Sequence, residues 1–152
     1  MSSNHLRRGR CSIIGQQYVV TTATNLRHRW FTDPEPVSCV RTQFKEIEER
    51  GFVTSLAWVV MPDHLHWLLE LRASTLDDVV RRLKSSSGLA LNRMKSRRGA
   101  VWQAGYYDHA VRSEESLRRQ AMYIMGNPVR AGLTGKIGEY PYAWMLWPME
   151  EG

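Results

Sequence analysis

Two apolar runs, FVTSLAWVVM over residues 52–61 and HLHWLLEL over residues 64–71, stand two residues apart with Pro62 and Asp63 between them. Proline pre-sets the backbone of a tight turn, and aspartate can hydrogen-bond its own backbone there. The two runs are therefore predicted to fold back on each other as an antiparallel hairpin, and every other element has to be placed around it.

The flanking segments read as follows. QYVVTTAT (17–24) is rich in Tyr, Val and Thr, which suit a pleated, half-buried surface, and predicts a first strand. After Asp33 and Pro34, Val37, Val40, Phe44 and Ile47 recur at helical spacing, with Gly51 where a helix terminates. Ser74 or Thr75 can cap a second helix that carries Asp77 and Asp78 in its first turn and Leu76, Val79, Val80, Leu83, Ala90 and Met94 along one stripe. Gly88 is a candidate interruption of that helix. YYDHAVR (106–112) reads as a short strand after the basic loop SRRG (96–99). Ser113, with Glu114 and Glu115 behind it, opens a last helix that Pro128 closes. The order strand, helix, strand, strand, helix, strand, helix predicts an α+β fold. It is a ferredoxin-like split βαβ sandwich (βαββαβ) with an antiparallel sheet, both main helices on one face, and an added C-terminal helix.

With 152 residues, one domain spanning 1–152 is expected, led by a basic N-terminal arm at about 1–16. No apolar run reaches the roughly 18 residues of a membrane span, so no membrane partner is expected. The arginines of residues 1–10 are followed by no apolar segment of a secretory signal, which favours a cytoplasmic chain. Cys11 and Cys39 lie far apart and suggest neither a disulfide framework nor a zinc knuckle.

The formal charge of +6 is unevenly spread. Arg7, Arg8, Arg10, Arg27 and Arg29 precede the first acid, Asp33. The acid-free stretch 79–107 holds Arg81, Arg82, Lys84, Arg93, Lys95, Arg97 and Arg98, so two blocks contain more than half of the 21 basic residues. Such clustering suits a phosphate backbone, and on charge alone it suits a solvated basic surface equally well.

The chemistry-bearing residues narrow the choice. Side chains two apart on a strand share a face, so His64 and His66 project together, opposite Leu65, Trp67, Leu69 and Leu71. If the odd positions pack under the helices, the histidine face stays open, and two neutral imidazoles there can bind one divalent ion. The same pair also fits two surface histidines that do no more than hydrogen-bond. On the last helix, Leu117, Ala121, Ile124 and Met125 define a buried face at 100° per residue, and Tyr123 falls away from it, with Asn127 at i+4. A tyrosine hydroxyl, with an ordinary pKa of about 10, attacks a phosphate only with help. A metal on His64 and His66 would supply that help, with Asn127 offering a hard oxygen as third ligand and favouring Mg²⁺ or Mn²⁺. Asn127 is also a reasonable helix-terminating residue.

Together AWVVMPDHLHWLLEL, VWQAGYYDHAVR and YIMGNPVRAGL resemble the HUH single-tyrosine transposases, most closely the REP-associated tyrosine transposases. The similarity runs over roughly residues 18–142. It places the family's histidine, hydrophobic, histidine motif on His64, Leu65 and His66, and its helical tyrosine on Tyr123. What it implies is a metal-dependent cut in DNA that links the tyrosine to a 5′ phosphate and leaves a 3′ hydroxyl. The implied partner is single-stranded DNA with palindromic hairpins, bound by a monomer or homodimer. The N-terminal arginines Arg7, Arg8 and Arg10 would then lie near guide bases, and Arg97, Arg98 and Arg130 on the DNA backbone. Gln120 could assist the metal, while His109 could orient a ligand or be an ordinary sheet histidine. Tyr106 and Tyr107 are rival nucleophiles in a segment that suits packing or base stacking. The alternatives of another class are a non-catalytic hairpin-binding module and a replication-initiator type of HUH nickase.

Overall fold

The computed structural model describes residues 12–149. Arg7, Arg8 and Arg10, and with them most of the predicted arm, lie outside that span. Five strands form one antiparallel sheet in the order β4-β1-β3-β2-β5: β1 (Gln17–Ala23), β2 (Val53–Met61), β3 (His64–Leu71), β4 (Tyr107–Val111) and β5 (Ala143–Met145). The helices are α1 (Pro34–Glu49), α2 (Leu76–Met94), α3 (Glu114–Met125) and the single turn α4 (Asn127–Arg130). The first four strands, taken with α1 and α2, are the expected βαββαβ arrangement.

The hairpin closes as its sequence requires, with Met61 opposite His64 and Val59 opposite His66. β1 lies on the other side of β3, pairing Thr21 with His66 and Ala23 with His64, so β3 is held by ladders on both edges. Leu65, Trp67, Leu69 and Leu71 are fully buried under α1 and α2. Burial of that kind stabilises by about 1.5–3 kcal/mol per aliphatic side chain. α1 contributes Val37, Val40, Phe44 and Ile47, all buried, and ends where Gly51 takes φ +85°, a conformation that a side chain would strain. Two indole N–H groups inside this layer find partners: Trp67 Nε1 donates to Ser55 Oγ at 2.9 Å and Trp102 Nε1 to Ser87 Oγ at 3.0 Å.

Several expectations change. Gly88 does not interrupt α2, which is continuous from Leu76 to Met94. The glycine is buried against Val101 and Trp102 and serves packing instead. The buried stripe of α2 runs on through Ser87 and Leu91, leaving Met94 exposed. Thr75 is the N-cap, its hydroxyl accepting from the Asp78 N–H at 3.1 Å. The histidine face is open only locally, because α3 lays Ala121 and Ile124 against Val19, Ala57, Val59, Leu68 and Val111, making a second core on that side. β5 had no signal, being three residues long, and the 3₁₀ turn Asn25–Arg27 was likewise unforeseen. Among the described residues, no helix is long and apolar enough to cross a membrane.

Candidate active site

Being on a central strand, His64 and His66 have little freedom, and their rings stand edge to face with centroids 5.1 Å apart. Each Nδ1 is engaged. His64 Nδ1 meets Asp63 Oδ1 at 2.8 Å, and His66 Nδ1 meets Thr21 Oγ1 at 2.7 Å, across the β1 ladder. A ring whose Nδ1–H is held by an oxygen presents its Nε2 lone pair, the arrangement found behind metal-ligating histidines. Burial, reinforced by the charges of His64 and Arg130, pushes His66 down to about 4, so it is neutral near pH 7 and able to donate that lone pair.

Asp63 is itself oriented. Arg27 Nε donates to its Oδ2 at 3.0 Å. Burial works to raise the Asp63 carboxyl, but the hydrogen bonds from His64 and Arg27, and the guanidinium charge, outweigh it and hold the group below the ordinary carboxylate range. Arg27 reaches Asp63 from a strained turn in which Leu26 and Arg27 both hold positive φ, 57° and 56°. Such residues cost about 1–3 kcal/mol each. The buried Thr24 hydroxyl secures the turn by donating to the His28 carbonyl at 2.7 Å.

The two imidazoles line a cleft of about 470 Å³ together with Thr21, Arg27, Gln103, Gly105, Tyr106 and Tyr107. Tyr106, just before β4, is buried and its hydroxyl donates to the Asp77 carboxylate, an arrangement that serves packing. Tyr107 is exposed on β4, opposite Thr21. His109, also exposed, lies opposite Val19 and does not line the cleft.

Tyr123 is 61% exposed on α3, on the wet side as expected, and is not part of the cleft lining. Its neighbour is Arg130, whose guanidinium lies over the ring and donates to the Tyr123 carbonyl. The expectation that Asn127 is a helical i+4 neighbour of Tyr123 is modified, because α3 ends at Met125 and Asn127 is the first residue of α4. Pro128 has no N–H to continue the ladder, and Arg130 supplies a side-chain donor to the Tyr123 carbonyl near the end of the helix. Gln120 is half-buried on α3, three residues before Tyr123. Arg97 is half-buried with its guanidinium 4.8 Å from the centre of the Trp30 ring, whereas Arg98 is exposed. Thus the structure gathers His64 with His66 around one cleft, and Tyr123 with Arg130 at the end of α3, outside the lining of that cleft.

Sequence reasoning missed Thr21, Asp63 and Arg27. Asp63 stood beside His64 in plain view but read as a turn residue, while Thr21 and Arg27 carried no signal because only strand register and a strained turn bring them near.

Residues 12–127 match the family model for IS200-like transposases. The chain belongs to this family. A REP-associated tyrosine transposase of Escherichia coli strain K12 is 29% identical over 89 residues, 57% of this chain and 51% of that protein. A Haemophilus influenzae protein provisionally given the same name is 27% identical over 114 residues, 68% of this chain and 65% of its own length. The matches thus span about half to two-thirds of these relatives. In fold, the transposase superposes on a REP-associated tyrosine transposase solved bound to a REP hairpin, with a TM-score of 0.73 at 23% identity, covering 88% of this chain and 79% of that one. A provisionally described transposase from Deinococcus radiodurans gives a TM-score of 0.55 at 24% identity, covering 77% and 94%.

Among the described residues of this transposase, no group of three His, Cys, Asp or Glu gathers as a metal site. The donor set starts with two imidazoles, and their chemistry fits a divalent ion: both Nδ1 atoms are occupied, His66 is neutral, and both rings face one cleft.

Proposed function

We propose that this transposase binds palindromic DNA hairpins of the REP type and cuts and rejoins the adjacent single strand, with Tyr123 as nucleophile. One observation carries the reading: His64 and His66 stand side by side with each Nδ1 tied, by Asp63 and Thr21. The family match and the hairpin-bound structural neighbour support it.

The Tyr123 oxygen attacks the phosphorus of the target phosphodiester, the bond from phosphorus to the 3′ oxygen breaks, and a 5′ phosphotyrosine forms. The hydroxyl proton is lost from the tyrosine and one is gained by the departing 3′ oxygen, so the step is proton-neutral and can be reversed onto another 3′ hydroxyl to rejoin strands. His64 and His66, with Asn127 as third ligand, would hold Mg²⁺ or Mn²⁺, which when bound withdraws charge from the phosphate oxygens. Asp63 and Thr21 orient the imidazoles, and Arg130 steadies the ring of Tyr123. Arg97 and Arg98 contact the DNA backbone, and Gln120 assists at the metal.

A second reading has one observation in its favour. Tyr107 lines the cleft with the histidines and Tyr123 does not, so Tyr107 could be the attacking residue. An end-labelled oligonucleotide carrying a palindromic hairpin and single-stranded flanks, incubated with Mg²⁺ or Mn²⁺ and resolved under denaturing conditions, separates the possibilities. Tyr123→Phe should abolish cleavage and the covalent adduct while Tyr107→Phe retains both. The opposite pattern moves the nucleophile to Tyr107, and DNA binding without any cut in the wild type would leave a hairpin-binding module.

A further inference from the structure

A second concave site lies on the other face of the sheet. Trp58 of β2 pairs in register with Trp67 of β3 on one side and with Trp144 of β5 on the other. Trp67 packs under α1 and α2, so this row of indoles is on the helix side, away from His64 and His66. β5 is the edge of the sheet. Between it and α1 lies a cleft of about 460 Å³, within the roughly 300–1,000 Å³ of ligand sites.

Its walls are aromatic and its rim is basic. The buried Phe44 sits with its ring 5.3 Å from that of Trp58, and Trp144 is 39% exposed. The Arg41 guanidinium is 5.6 Å from the centre of the Trp58 ring, and Lys45 follows one turn later on α1. Neither Arg41 nor Lys45 makes an ion pair among the described residues. Glu48 also borders the cleft. Its Oε1 accepts the Ser55 N–H at 2.6 Å, which fixes the carboxylate and leaves Oε2 as an acceptor.

We propose that this cleft is a second DNA contact, seating one unstacked base of a single strand against Trp144 and Trp58 while Arg41 and Lys45 hold the flanking phosphates. Aromatic faces stack any base, and guanidinium forks match phosphate oxygens. The remaining Glu48 oxygen favours a base with an exocyclic amine, as carboxylates do with cytosine, so cytosine is preferred over thymine. The proposal rests on the single-stranded DNA reading given above but concerns a different stretch of strand. A base held here belongs to DNA that has passed around the β5 edge, away from the phosphate at the histidines.

Fluorescence anisotropy with a bare hairpin and with the same hairpin carrying cytosine-rich single-stranded flanks tests it. The wild type should bind the flanked hairpin more tightly. Trp144→Ala should lose that gain, about 5- to 150-fold for one stacked base, with unchanged affinity for the bare hairpin. Trp144→Phe, which keeps an aromatic face, should recover most of it. Replacing the flanking cytosines by thymines should weaken wild-type binding. The double variant Arg41→Ala, Lys45→Ala should lower the salt slope by about 1.4, at roughly 0.7 per phosphate. Equal affinity of wild type and Trp144→Ala for the flanked hairpin would overturn the site while leaving the DNA reading intact. A wild type that binds neither oligonucleotide would overturn both.

Discussion

The Arg130 guanidinium lies 3.8 Å from the centre of the Tyr123 ring and donates to the Tyr123 carbonyl at 2.5 Å. One side chain thus caps the end of α3 and steadies the proposed nucleophile. Gly126 makes room for it, since a Cβ there would come within 2.8 Å of Arg130 Nη1. Gly126→Ala should therefore shift the guanidinium and weaken its contacts with Tyr123, a milder form of Arg130→Ala. Arg130→Ala should slow single-turnover cleavage at least tenfold, since a cation–π contact plus a charged hydrogen bond together exceed the roughly 1.4 kcal/mol of a tenfold change, and Gly126→Ala should slow it less. Arg130→Lys should recover little, because an ammonium has no planar fork. Wild-type cleavage by Arg130→Ala would show that the stacking does not matter.

His66 gives the metal-free protein a definite pH response. Its folded pKa of about 4 lies below the ordinary 6.5, so between those values the unfolded chain binds the extra proton. The contribution is fully present above 6.5 and is lost progressively as pH falls toward 4. Between pH 7.5 and 5 it amounts to about 2 kcal/mol at most. Urea denaturation should show that loss in the wild type and a smaller one in His66→Gln. Identical pH dependence in the two proteins would contradict the buried neutral imidazole.

Asp63 and Thr21 touch only the Nδ1 atoms of the histidine pair, so their removal tests orientation apart from ligation. Asp63→Asn and Thr21→Val should each raise the Mn²⁺ concentration that half-activates cleavage about 10- to 100-fold, with cleavage approaching wild type at saturating metal. Unchanged metal dependence in both variants would mean that Asp63 and Thr21 do not orient the imidazoles for ligation.

Arg97 and Arg98, adjacent in sequence, should behave differently. Arg98 is exposed, whereas Arg97 is stacked on Trp30 and bonded to Asn92. Arg98→Ala should reduce the slope of log affinity against log salt by about 0.7 with no change in thermal stability. Arg97→Ala should lower the melting temperature as well. A slope unaffected by Arg98→Ala would remove that residue from the DNA interface.

What the sequence determined by itself was local. The β2–β3 hairpin, the apolar faces of α1 and α3, and the shared face of His64 and His66 all follow from side-chain periodicities of 2.0 and 3.6 residues, which any segment carries without reference to the rest of the chain. The exposure of Tyr123 was legible for the same reason. The continuity of α2 through Gly88 was not, because a glycine weakens a helix locally and only Val101 and Trp102 supply the packing that offsets it.

Only the tertiary structure decided what stands opposite what. Thr21 reaches His66 through the register of two strands more than forty residues apart, and a slip of one residue would turn that hydroxyl to the other face. β5 exists because β2 offers it an edge, its three residues having no periodicity to announce them. Arg27 meets Asp63 only through a turn held in positive φ. α3 crosses the histidine side of the sheet because Leu68 and Val59 leave an apolar surface there to be covered, and that packing confines the open part of this face to the cleft around His64 and His66. Periodicity is a property of one segment, whereas a site is a set of distances between segments, and those are set by register and packing.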